Sequence, residues 1–141
     1  MKNLFLILTV ASLVITSCSK DKEGCNDRRA TNYDEKVIVD NGTCIYTSIT
    51  FYADSSEYNG KTISNIQVTV DGDIVGSFNG HFTNGNQVCG ATNTAVYNTT
   101  GETSVVWSAV IYQNGGTSVT TSGEYLGISN QTCVIQQVIP Q

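Results

Sequence analysis

The chain has 141 residues, of which 13% are charged and 40% hydrophobic, with a formal net charge of −5 and five cysteines. That length holds one small domain plus a small module rather than two large domains. From Thr47 onward Lys61 is the only lysine or arginine, set against Asp54, Glu57, Asp71, Asp73, Glu102 and Glu124, so no cationic stripe exists to neutralise phosphates and nucleic acid and anionic lipid head groups are disfavoured as partners.

The N-terminus reads MKNLFLILTVASLVITSCSKDKEG. Lys2 supplies a positive start, and the apolar run from Leu4 to Ile15 is too short to span a hydrocarbon layer of ~30 Å comfortably. Residues 1–17 are therefore expected to be a signal peptide. The tetrapeptide Ile15-Thr16-Ser17-Cys18 resembles the lipobox of bacterial lipoproteins. The resemblance implies cleavage before Cys18, a lipid on its sulfur and an acyl chain, such as palmitate, on its new amino group. Each buried CH₂ contributes ~0.8 kcal/mol, so two or three chains make a stable membrane anchor. Loss of Lys2 with the leader takes the net charge from −5 to −6.

Cysteine parity agrees with that reading. With Cys18 lipidated, Cys25, Cys44, Cys89 and Cys133 form an even set for an oxidising compartment. Four cysteines allow three pairings, of which the two local ones, Cys25 with Cys44 and Cys89 with Cys133, are favoured. No two of them form the close C-x₂₋₄-C pair of a zinc site.

Residues 18–24 are read as the lipidated cysteine and a solvated tether. The run Ser19-Lys20-Asp21-Lys22-Glu23 resembles the surface-export tag of Bacteroidota-type lipoproteins, which implies an outer-membrane anchor and display on the outer face.

Residues 25–46 begin Cys25-Asn26-Asp27, pass through Asn32-Tyr33-Asp34 and end Asp40-Asn41-Gly42-Thr43-Cys44-x-Tyr46. They resemble a small disulfide-closed module of secreted and surface proteins from the same bacterial group. Asp27, Asp34 and Asp40 are weak candidates for oxygen ligands of calcium. They lack the alternate spacing and terminal Glu of an EF-hand loop, and Asx turns give them a structural role instead. The module is expected to be a staple, with no cofactor.

From Thr47 the composition turns to Val, Ile, Thr, Ser, Tyr, Gly and Asn in short β-branched runs, which argues for an all-β domain over residues 47–141. Ile49, Phe51 and Ala53 alternate with Thr50 and Tyr52; Ile66, Val68 and Val70 alternate with Gln67 and Thr69. Asp71-Gly72 supplies the positive φ angles of a tight hairpin. A two-residue loop pairs Val70 with Asp73, whereas a three-residue loop puts Ile74 and Phe78 on the face of Val68 and Val70, and both registers stay open. Asp71 and Asp73 are read as turn formers, not as a catalytic pair. Further strands are expected at 94–98, at 104–113, at 117–126 and at 132–139. In SVVWSAVIYQ, Val105, Trp107, Ala109 and Ile111 share one face and Val106, Val110 and Tyr112 the other, which marks a central strand with Trp107 in the core.

The order VxVDGxxVGxF over 68–78, then Cys89-Gly90, Trp107-Ser108-Ala109 and Thr132-Cys133, resembles small β-sandwich domains of Bacteroidota lipoproteins, related in pattern to PEGA-like and transthyretin-like modules. The resemblance implies a Cys89–Cys133 bond tying the loop after the first hairpin to the last strand. It implies no catalytic residues.

Function follows weakly from these residues. His81 is the only histidine and sits in a Gly- and Asn-rich loop, no Ser lies in a G-x-S-x-G elbow, and the acids are scattered through turns. The expected class is a non-catalytic binding or adhesion module of the outer membrane. Tyr58-Asn59-Gly60, Asn79 to Asn86 and Asn114 to Ser118 are its contact loops for a glycan or protein partner. The alternative is a structural accessory subunit docked by strand addition to a larger assembly, with an enzyme as the weakest reading.

Overall fold

The computed structural model describes residues 20–82, 88–102, 104–126 and 131–139. The expected signal peptide and Cys18, the residue read as lipidated, lie outside the described residues, as does the stretch 83–87 of the second loop read as a contact loop. Among the described residues there is no helix, and the chain forms ten strands, all but the first two of them in two larger sheets.

The module opens the fold. Strands β1 (Glu23–Gly24) and β2 (Val39–Asp40) pair in parallel, and Cys25 is bonded to Cys44. Asn32 clamps the closing segment: its Nδ2 donates to Thr43 O at 2.7 Å and its Oδ1 accepts from Ile45 N at 2.8 Å. Lys22 to Gly24, within the stretch read as tether, are folded onto this module. Lys22 O accepts from Ile38 N at 3.0 Å, and its ammonium pairs with Asp34.

The β-domain is a sandwich of a five-stranded and a three-stranded sheet. In the larger sheet β8 (Ser104–Gln113) is central, between β5 (Lys61–Val70) and β9 (Thr117–Leu126). Along its other edge β5 carries β4 (Glu57–Tyr58) at its start and β6 (Asp73–Phe78) at its second half. In the smaller sheet β3 (Ser48–Tyr52) lies between β7 (Ala95–Asn98), antiparallel, and β10 (Cys133–Gln137), parallel. The inward residues Ile49, Phe51, Ile66, Val68, Val105, Ala109 and Ile111 are all at most 1% exposed and form one core, with Phe51 and Trp107 ring centroids 5.7 Å apart. Trp107 is a core residue, and the all-β, disulfide-linked sandwich expected from the pattern is the fold observed.

The hairpin register resolves in an instructive way. Val70 pairs with Asp73 across a two-residue turn whose Asp71 and Gly72 both have positive φ, 50° and 94°. The register then shifts between Val68 and Thr69, so that Ile66 meets Phe78. The turn chemistry thus sets the loop, and a β-bulge restores the apolar pattern by turning Phe78 inward while Ile74 stays 66% exposed. A second difference concerns β8. Its central position agrees with its apolar run, but its second face is open to solvent, with Val106 55% and Tyr112 39% exposed.

Thr50 points away from the core yet is buried. The segment after residue 88 crosses over it, Gly90 N donates to its Oγ1 at 3.0 Å, and Cys89 is bonded to Cys133 beside it. The bond therefore ties the segment after the first hairpin to the last strand.

Candidate functional site

The two ends of the sandwich differ. At one end β8 begins, Asp71 N donates to Val106 O at 3.0 Å, and the module leads directly into β3. There Gly101, at φ 97°, leaves the room occupied by the module: a Cβ on it would meet Arg29 Cβ at 3.0 Å and Tyr46 Cε1 at 3.2 Å. The module docks on this end.

The opposite end carries the polar loops. The β4–β5 turn uses Asn59 and Gly60 at φ 52° and 71°, and the β8–β9 turn uses Gly115 and Gly116 at 91° and 77°, conformations that Gly and Asn adopt at low cost. Gln113 stitches the two turns together. It is 5% exposed, its Nε2 donates to Tyr58 O at 2.6 Å, and its Oε1 accepts from Thr117 Oγ1 at 3.1 Å. Asn114 N donates to Thr62 O at 2.9 Å, and Lys61 Nζ donates to Thr117 Oγ1 at 3.3 Å. The third loop reaches the same end at its described residues. Phe82 N donates to Ala53 O at 2.9 Å, and its ring stands edge-on to Tyr52 with centroids 6.5 Å apart.

So the contact loops Tyr58-Asn59-Gly60 and Asn114 to Ser118 are joined, and the described part of Asn79 to Asn86 runs to the same end. Gln113 is the residue that the sequence reading missed. Its signal was parity: it continues the inward series Val105, Trp107, Ala109, Ile111, where a polar side chain must find partners. This end offers backbone amides, hydroxyls, exposed His81 and the ammonium of Lys61, which suit hydrogen bonding to a polar ligand.

The module's acids are used locally. Arg29 donates through Nε to Asp27 Oδ1 at 3.0 Å and through Nη2 to Oδ2 at 2.7 Å, and Tyr46 Oη donates to Oδ2 at 2.9 Å. These bonds, the Arg29 side chain first and its N–H second, hold the Asp27 carboxyl far below the usual carboxylate range, and the bond to that carboxylate, then burial, raises the Tyr46 hydroxyl above its ordinary value. Asp34 is lowered by the Lys22 ammonium and then by the Lys36 N–H. Asp40 accepts from Gly42 N at 2.8 Å in an Asx turn. Beside the module, burial pushes Glu102 up, but its own N–H and the N–H and hydroxyl of Thr100 outweigh it and leave the carboxyl lowered. Among the described residues no three His, Cys, Asp or Glu side chains converge on a metal-sized site.

Comparison of the chain with family models, curated proteins and solved structures gives no match. The loop cluster therefore stands on its own geometry.

Proposed function

We propose that the chain is a lipid-anchored outer-membrane protein, tethered through Cys18, whose β-sandwich is a non-catalytic binding or adhesion module. What supports this is the polarity of the domain. The module that follows the tether docks at the Gly101 end, and the loops around Asn59, Asn114 and Phe82 gather at the opposite end, away from the anchor. A glycan or a protein surface is the proposed partner class, because the loops present amides and hydroxyls on a rigid scaffold.

The test uses residues 19–141 on a glycan array, alongside pull-down from outer-membrane extract. Array signal lost in Asn114→Ala, an exposed loop residue, with the circular dichroism spectrum unchanged, supports binding. The second reading, an accessory subunit docked by strand addition, is favoured by the outer edge of β9, with which no strand pairs among the described residues, and a stoichiometric membrane partner in the pull-down would select it. Anchoring is checked apart from either: Cys18→Ser should move the protein from the membrane to the soluble fraction, and retention in the membrane would overturn the anchor.

A further inference from the structure

The chain enters the module at Lys22. Its carbonyl accepts from Ile38 N at 3.0 Å and from Val39 N at 3.4 Å, and β1 then runs beside β2 with Glu23 opposite Val39. Ile38 and Val39 are 69% and 43% exposed, although Val37 just before them is buried. One exposed apolar side chain needs no explanation, but two in succession, bonded to the first fixed residue of the tether, mark an edge with a partner.

We propose that this edge rests on the lipid surface, with Ile38 and Val39 entering the head-group layer of the leaflet that holds Cys18, a contact that presupposes the anchor at that residue. Tether length selects the occupant. Four residue steps lead from Cys18 to Lys22 and span about 14 Å at full extension, so the edge is held beside the bilayer wherever the rest of the domain points. Two side chains do not hold a bilayer unaided, because interfacial affinity grows with the apolar area buried. The short tether makes their contact intramolecular, at an effective concentration of about millimolar, and a weak contact is then populated.

Charge selects the kind of lipid. Lys22 is paired with Asp34, and around the edge Asp21, Glu23 and Glu35 stand exposed against Lys20 and Lys36. There is no cationic excess for anionic head groups, and zwitterionic ones fit, their ammonium groups meeting Glu23. Glu23 also limits the depth: opposite Val39, its carboxylate stays among the head groups, so only the tips of the apolar side chains enter.

Seated in this way the domain does not swing on its tether. Thr47 follows Tyr46 directly into the sandwich, Thr99 N donates to Thr47 O at 3.1 Å, and Arg29 lies against Gly101, so module and sandwich turn together. The polar loops around Asn59 and Asn114 then point away from the membrane at a fixed height.

Nuclear magnetic resonance of the full lipidated chain in phosphatidylcholine nanodiscs tests the contact, with a nitroxide on the head group of a minor fraction of the lipid. The methyl signals of Ile38 and Val39 are expected to broaden several-fold more than that of Thr117 at the loop end. In Ile38→Asp, an exposed position where circular dichroism should show the fold unchanged, the broadening of Val39 should fall toward that of Thr117. Equal broadening at all three residues, none at Ile38, or a Val39 signal indifferent to Ile38→Asp would overturn the contact and leave the anchor standing. Protein that does not stay with the nanodiscs would overturn the anchor, and the contact with it.

Discussion

Tyr46 Oη donates to Asp27 Oδ2 at 2.9 Å, linking the last residue of the module to its first turn, and Arg29 grips the same carboxylate while its stem lies against Gly101. The three residues hold the module shut and place it on the sandwich. Because the folded-state carboxyl of Asp27 is lowered, its contribution to stability is fully present above the unfolded value near pH ~4 and is lost as pH falls below it. Asp34 and Glu102 are lowered too and add to the same acid limb. The expected outcome is that Asp27→Asn flattens part of the stability loss below about pH 4, read by acid titration of the Tyr46 ring resonances. An unchanged acid limb would show that the carboxylate does not close the module.

Much of this fold is legible in the residues, and the parts that are not share a cause. The β8 and β9 boundaries, Ser104–Gln113 and Thr117–Leu126, follow directly from runs of β-branched residues around Asn114-Gly115-Gly116. The register after Asp71-Gly72 stays ambiguous in sequence because turn chemistry and apolar periodicity disagree by one residue, and only a bulge reconciles them. The exposed face of Val106 and Tyr112 is invisible for a related reason: an apolar run does not say how many sheets will cover it. The gathering of the polar loops at one end and the docking of Arg29 and Tyr46 on Gly101 are long-range contacts with no local signal. Gln113 alone carried one, its inward parity.

Gly101 is the hinge of that docking. An alanine there must adopt φ near 97° and place a Cβ 3.0 Å from Arg29 Cβ. Gly101→Ala is expected to cost about 1–3 kcal/mol and to speed amide exchange at Thr31 and Ile45, leaving the exchange of β8 intact. Uniform loss across both regions would mean that module and sandwich melt as one unit.

Gly123 tests the core from the other side. Its backbone is ordinary for a strand, but a Cβ would meet Trp107 Cζ2 at 2.9 Å and Cε2 at 3.0 Å. Since the rigid indole cannot swing away, Gly123→Ala should destabilise by about 1–3 kcal/mol and shift the emission of Trp107, the chain's single tryptophan. A stable variant with unshifted fluorescence would mean that β9 lifts away from the ring without penalty.

The Cys89–Cys133 bond spans 44 residues of chain, for which the chain-entropy argument gives about 4 kcal/mol. Against a net stability of about 5–15 kcal/mol this is a large share. Replacing both cysteines by serine should lower the melting temperature sharply in a denaturation scan, whereas an unchanged melt would locate the stability of the domain wholly in its core.

Calcium offers the last test, because the acids that invite it have other work. Asp27 is committed to Arg29 and Tyr46, Asp34 to Lys22 and the Lys36 N–H, and Asp40 to the Gly42 N–H. A calcium ion needs six to eight oxygens around one point, so binding would require breaking these bonds before any new one forms. A scan with millimolar Ca²⁺ and one with chelator are therefore expected to give the same melting temperature. A saturable rise with Ca²⁺, lost in Asp40→Asn, would instead place an oxygen site in the module and turn its staple into a metal-dependent one.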